Sequence, residues 1–183
     1  MSAVSPWQTR ANAVTALRLV AAPALAAAVC AGDMGPALAL FAFAVATDVA
    51  DGWLARRYGE VTPLGGFMDH AVDATFVTTG SAALALTGVL PALLPVLIAL
   101  AFTQYALDSR VGAARPLRGS ALGRWNGIAY YAVVAVPITR DALGLAWPGP
   151  DWVAALGWGL VGTTLLSMAD RARTSLAGGR PAS

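Results

Sequence analysis

The chain has 183 residues, 57% of them hydrophobic and only 12% charged, where an ordinary soluble domain carries roughly 25% charged residues. That composition argues against a water-soluble globule, as does a mean hydropathy of +0.64. A single cysteine, Cys30, excludes an intrachain disulfide, a single histidine, His70, excludes zinc sites of the Cys/His kind, and a net charge of +2 is too small for a nucleic-acid binder.

A membrane span uses about 20 apolar residues, so six spans would consume roughly 120 positions and leave no room for a second, soluble domain. Six apolar segments recur along the chain, at about 14–31, 36–54, 67–90, 93–107, 128–138 and 152–168. The first could be a signal peptide, because Arg10 and Arg18 precede an alanine-rich run, and a lipoprotein variant would use Cys30. Val29 before that cysteine is not a small residue and five more segments follow, so an uncleaved first span is the better reading. The fifth segment is short unless it extends back to Ser120 through Gly123, Arg124 and Asn126, which is the reading preferred here. Breakers and polar clusters at 32–36, 58–63, 108–119 and 140–151 mark the loops. The expected protein is an all-α integral membrane six-helix bundle, one domain over residues 1–175, with a disordered tail at 176–183.

Orientation follows from the arginines, which are all 12 of the basic residues. With a cytoplasmic amino terminus, Arg10, Arg18, Arg56, Arg57, Arg110, Arg115, Arg118, Arg124, Arg171, Arg173 and Arg180 fall inside or at the inner rim, and only Arg140 falls outside. Both termini are therefore expected in the cytoplasm. Trp7 and Trp125 then lie near the inner boundary and Trp147 and Trp152 near the outer one, where amphipathic rings prefer to sit.

Four of the ten acidic residues, Asp48, Asp51, Asp69 and Asp73, occupy one 26-residue stretch at the ends of the second and third spans. Each aspartate at mid-bilayer costs about 2.5–3.5 kcal/mol, a figure that falls toward the rim, so something must compensate. A set of structural ion pairs would need more buried cations than this stretch supplies, since Arg56 can pair with only one carboxylate. At about 100° per residue, Asp48, Asp51, Gly52, Ala55 and Arg56 share one face of the second helix. Asp69 and Asp73 stack one turn apart on the third, about 6 Å from each other, with Gly65 one turn before them. Joined by a short loop, the two helices are antiparallel neighbours whose acidic faces can meet. The glycines remove side chains where something bulky approaches the backbone.

Carboxylates converging without histidine or cysteine make an oxygen-only site, suited to Mg²⁺, Mn²⁺ or Ca²⁺ rather than zinc or copper. Such a concentration of charge favours two divalent ions, and a pair about 4 Å apart would clamp a phosphate or diphosphate during in-line displacement. Arg56 on the same stripe would neutralise a further phosphate oxygen.

The pattern Asp48-x-x-Asp51-Gly52-x-x-Ala55-Arg56, eight residues, Gly65-x-x-x-Asp69-x-x-x-Asp73 resembles the signature of the CDP-alcohol phosphotransferases (CDP-alcohol phosphatidyltransferases) at every fixed position. Six spans and the segment Asn12-x-x-Thr15-x-x-Arg18, like one the family uses beside its nucleotide, extend the resemblance. It implies a transferase of phospholipid biosynthesis that takes CDP-diacylglycerol or another CDP-alcohol, passes the substituted phosphoryl group to an acceptor hydroxyl and releases CMP. It further implies two Mg²⁺ or Mn²⁺ ions, with Asp48 and Asp69 bridging both, Asp51 completing the first, and Asp73 touching the second while serving as general base. Gly52, Ala55 and Arg56 would hold the diphosphate and cytidine, with Asn12, Thr15 and Thr62 lining the same pocket. Family members are commonly homodimers in the bilayer, and an active site on the cytoplasmic side would suit a soluble nucleotide and acceptor.

Two departures from many family members leave the acceptor open. Ala74 stands where a basic residue often follows the fourth aspartate, and residues 120–127 lack the lysine of relatives that use glycerol phosphate. Arg110, Arg115, Arg118 and Arg124 could bind an anionic acceptor such as glycerol 3-phosphate or inositol phosphate; for the first three, positive-inside bias explains them as well. His70 points about 100° away from Asp69 and reads as a packing residue. Gly157, Gly159 and Gly162 could seat a neighbouring helix. A cation carrier or channel would explain the aspartates but not the glycines and Arg56 at fixed offsets. An intramembrane prenyltransferase would need two well-separated aspartate-rich motifs in a longer bundle.

Overall fold

The computed structural model describes residues 10–59, 62–111 and 121–178. Among them there are six helices and no strands: α1 (Arg10–Ala31), α2 (Met34–Tyr58), α3 (Pro63–Leu86), α4 (Leu93–Val111), α5 (Ala121–Ala142) and α6 (Pro150–Gly178). Short connections alternate their directions, so the start of each odd helix and the end of each even helix meet at one end of the bundle. α1, α2 and α6 contain stretches long and apolar enough to cross a membrane (Val14–Ala31, Met34–Tyr58 and Pro150–Thr174), and α4 has a shorter apolar run, Leu93–Leu107. Val20, Val49, Leu86, Ile128 and Leu166 stand exposed around the bundle, a surface suited to lipid.

Helix ends differ from the expected segments for local reasons. α2 begins at Met34, two residues before Pro36, because a proline in the first turn gives up only an N–H that has no intrahelical partner there. It ends at Gly59, whose φ of +66° lets its N–H reach the Ala55 carbonyl. α3 starts earlier than the apolar run, at Pro63, with Thr62 as its cap accepting the Gly65 N–H at 3.0 Å. α5 starts at Ala121 and so includes Gly123, Arg124 and Asn126, as the extended reading requires. α6 continues to Gly178, three residues into the expected tail; residues 179–183 lie outside the described residues.

The packing of α1 on α2 positions the site. On α2 the buried residues are Ala37, Phe41, Ala44, Thr47 and Asp51, a stripe with steps of three and four. On α1 the facing stripe is Val29, Leu25, Ala22, Arg18 and Thr15. The helices run antiparallel, so Val29 lies toward the start of α2 and Thr15 toward its end. Apolar packing at one end of the seam thus becomes polar at the other, without a break in helical period. Among the described residues α3 packs against α1 and not directly against α2 as the short loop between them leads one to expect, because α1 fills the seam with both, and α5 closes over α2 and α3.

Gly157 on α6 is a close approach within the chain. A Cβ there would lie 2.6 Å from Pro91 Cδ and 3.3 Å from Leu90 Cδ2, whereas one on Gly159 or Gly162 would meet nothing within 4 Å. We predict that Gly157→Ala destabilises the bundle by about 1–3 kcal/mol through overpacking, seen as a lower melting temperature in detergent, while Gly159→Ala leaves it unchanged. Equal melting of the two variants would contradict this seat for the α3–α4 loop.

Candidate metal centre

The polar end of the seam gathers side chains from four helices. α1 supplies Thr15 and Arg18, α2 Asp48 and Asp51, α3 Asp69 and Asp73, and α5 Tyr131. Spacings of three on α2 and four on α3 put each pair of carboxylates on one helix face. All four meet at the Arg18 guanidinium. Nη1 donates to Asp48 Oδ1 at 2.6 Å and to Asp73 Oδ1, while Nη2 donates to Asp51 Oδ2 and to Asp69 Oδ1, both at 2.5 Å. Thr15 Oγ1 donates to Asp51 Oδ2 at 2.7 Å, and the Tyr131 hydroxyl donates to Asp73 Oδ1 at 2.8 Å. The Tyr131 ring stacks on Phe76 at 6.3 Å and meets Phe41 edge-on at 6.1 Å, which fixes the hydroxyl.

Exposure is graded across the cluster. The Arg18 side chain is 0% exposed and that of Asp51 5%, against 26% for Asp73, 32% for Asp69 and 43% for Asp48. The guanidinium therefore forms a floor, and three carboxylates open away from it. This corrects the expectation that the acidic stretch lacks a buried cation: Arg18 belongs to the site, and is not simply a rim arginine. One guanidinium against four carboxylates still leaves three negative charges. One ligand oxygen from each of Asp48, Asp51 and Asp69 lies within 4.8 Å of the others. An all-oxygen donor set with this surplus charge fits hard divalent cations such as Mg²⁺ or Mn²⁺.

The remaining expected residues are distributed less uniformly. Gly52 and Ala55 are half-buried beside Asp51 on α2. Arg56 is exposed, makes no ion pair among the described residues, and lies back along its helix: a Cβ on Gly52 would come 3.4 Å from its Nη1. Gly52 thus leaves room for that guanidinium to lie flat. Thr62 caps α3 and holds the Gly65 N–H one turn before Asp69. Arg124 is exposed, not drawn into the helix mouth, whereas Asn126 beside it is buried. The side chains of Asn12 and Arg110, and residues Arg115 and Arg118, lie outside the described residues.

Sequence reasoning missed Tyr131 and a second polar group at this end of the bundle. His70 stacks on Tyr105 at 5.8 Å, consistent with packing, and Arg171 on α6 lies over the Tyr105 ring at 5.4 Å. The Tyr130 hydroxyl and Thr164 Oγ1 share a hydrogen bond at 2.7 Å, and Gln104 Nε2 donates to the Met168 carbonyl. Sequence reasoning likewise left Arg18 at the rim; the signal that marks it is a charge inside an apolar run, which needs a buried partner, at an offset of three from Thr15 on the same face.

A family model described as CDP-alcohol phosphatidyltransferase matches residues 8–166. The chain is 36% identical over 152 residues, 80% of its length and 70% of the relative's, to the "Probable phosphatidylglycerophosphate synthase" of Mycobacterium tuberculosis, in strains CDC 1551 / Oshkosh and ATCC 25618 / H37Rv alike. It is 51% identical over 41 residues, 22% of its length and 21% of the relative's, to the "CDP-diacylglycerol--glycerol-3-phosphate 3-phosphatidyltransferase" of Pseudomonas fluorescens. No solved structure matches. The family match covers α1 to α5, most of α6 and every aspartate of the cluster: the chain belongs to the CDP-alcohol phosphatidyltransferase family and is a transferase.

Proposed function

We propose that this transferase moves the phosphatidyl group of CDP-diacylglycerol, or of a related CDP-alcohol, to the hydroxyl of glycerol 3-phosphate, releasing CMP, and that it depends on divalent cations. The single observation that carries the reading is the convergence of Asp48, Asp51, Asp69 and Asp73 with three negative charges uncompensated. The names of the relatives support glycerol 3-phosphate ahead of inositol or inositol phosphate, and Arg171, half-buried over Tyr105 at the same end, supports an anionic acceptor. Family membership sets aside the cation-carrier and prenyltransferase readings.

Asp48, Asp51, Asp69 and Asp73 would hold two Mg²⁺ or Mn²⁺ ions, which supply charge neutralisation for the diphosphate and the departing CMP. The acceptor oxygen bonds to the phosphorus that carries the lipid, and the bond from that phosphorus to the CMP oxygen breaks. Asp73 takes the acceptor's proton as the new bond forms. Its Oδ1 is already engaged by Tyr131 and Arg18, so Oδ2 is the atom for that task. Gly52, Ala55 and Arg56 hold the diphosphate, with Asn12, Thr15 and Thr62 beside the nucleotide. Thr15 acts there through Asp51, to which its hydroxyl is bonded.

We place all six helices across the membrane, with both termini and the site on the cytoplasmic side. The arginine asymmetry supports this: Arg56, Arg57, Arg124, Arg171 and Arg173 lie at the site end, and Arg140, paired with Asp141 at 2.6 Å, lies at the other. A homodimer is carried over from the family resemblance.

Purified protein given CDP-diacylglycerol, Mn²⁺ and a panel of acceptors should release CMP with glycerol 3-phosphate, and EDTA should stop it. Release with inositol or inositol phosphate alone would reassign the acceptor. Metal flux into proteoliposomes with no CMP from any acceptor would overturn the reading.

A further inference from the structure

The four η N–H groups of Arg18 are distributed in a definite pattern. Each η nitrogen bridges one carboxylate of α2 and one of α3: Nη1 takes Asp48 and Asp73, Nη2 takes Asp51 and Asp69. In every case it engages a single oxygen of the carboxylate. The other oxygens, Asp48 Oδ2, Asp51 Oδ1, Asp69 Oδ2 and Asp73 Oδ2, take no hydrogen bond from the described residues. Since Arg18 is wholly buried while Asp48, Asp69 and Asp73 are partly open, the engaged oxygens face the floor of the cluster.

We propose that Arg18 is a positioning residue for the whole carboxylate set, a fixed cation that holds one oxygen of each aspartate, presents the other to the open side, and stays in place when divalent cations bind. This deepens the proposed function and rests on its reading of the cluster as a cation site. Four carboxylates repel one another and would splay apart without a counter-charge among them. A planar fork with paired N–H groups ties two helices at four points, which a lysine ammonium, with three donors on one nitrogen, does not reproduce. The cost is visible: Arg18 Nε is buried without a hydrogen-bond partner. An arrangement selected for stability alone would satisfy that atom, whereas one that aims the η nitrogens at four carboxylates leaves it aside. Charge follows the same logic. Two divalent cations on four carboxylates sum to zero, and with Arg18 beneath them to +1, which favours an anionic diphosphate.

The full-length protein in detergent tests this by two routes. In the wild type, phenylglyoxal followed by peptide mass spectrometry should modify exposed Arg56 but leave Arg18 unmodified, both in EDTA and in saturating Mn²⁺. Modification of Arg18 on adding Mn²⁺ would mean that the ions displace it, and the proposal fails. In R18K, bound Mn²⁺ should give an altered electron paramagnetic resonance spectrum, and kcat should fall at least 100-fold while KM for CDP-diacylglycerol changes less than about threefold. A spectrum and kcat like the wild type's would also overturn it. If the wild type binds no Mn²⁺ at all, the cation reading of the cluster falls, and the proposal with it. Binding in the wild type with Arg18 displaced removes the proposal alone.

Discussion

Asp69→Asn is expected to reduce kcat/KM for CMP release on the order of 10³-fold, because a neutral amide replaces a charged oxygen ligand where cation stabilisation supplies several kcal/mol. Its effect on stability should run the other way. Four carboxylates share one guanidinium, so removing one charge relieves repulsion while Arg18 keeps Asp48, Asp51 and Asp73. In EDTA the variant should melt at or above the wild-type temperature. CMP release and thermal unfolding on the same preparation check both halves. Activity within tenfold of wild type would remove Asp69 from the ligand set, and a large fall in melting temperature would make its role structural.

Asp73→Asn is expected to lower turnover by about 10²–10⁴-fold, the usual contribution of a general base, while Mn²⁺ and CDP-diacylglycerol still bind. Asp73 stands apart from the close triple of Asp48, Asp51 and Asp69 and is the aspartate that Tyr131 reaches. Its asparagine can keep the Tyr131 and Arg18 contacts through the amide oxygen, so the cluster persists while the proton acceptor is lost. Calorimetric titration with Mn²⁺ and with CDP-diacylglycerol, set beside kcat, separates the roles. If binding disappears together with turnover, Asp73 is chiefly a ligand and the base must be sought elsewhere.

The acidic centre was readable from sequence because its geometry is local. Offsets of three on α2 and four on α3 fix a helix face whatever surrounds it, but the expected direct pairing of the two helices does not form among the described residues: α1 packs against both, and its Arg18 joins their acidic faces. The Gly65 and Thr62 contact was only partly readable: Gly65 stood out by spacing, whereas the cap formed by Thr62 depends on where α3 begins, and that was placed four residues late. Arg124 shows the limit from the other side. Helical period put it in the right turn of α5, but the period does not say which face of α5 meets the bundle, and Arg124 lies outside while Asn126 lies inside.

Composition and periodicity pointed to an all-helical chain with helices apolar enough for a membrane and put each pair of aspartates on one helix face, while the resemblance of the motif from Asp48 to Asp73 pointed to the family that the match over residues 8–166 shows. Each follows from residues close together in the chain, where helical pitch or hydrophobicity leaves few alternatives. Tertiary structure alone decided the partners of those aspartates. Arg18 is 30 to 55 residues away from them and Tyr131 is 58 residues from Asp73, and no local rule relates positions so far apart. What joins them is the antiparallel seam of α1 on α2 and the closure of α5 over α2 and α3, set by shape and burial across the whole bundle.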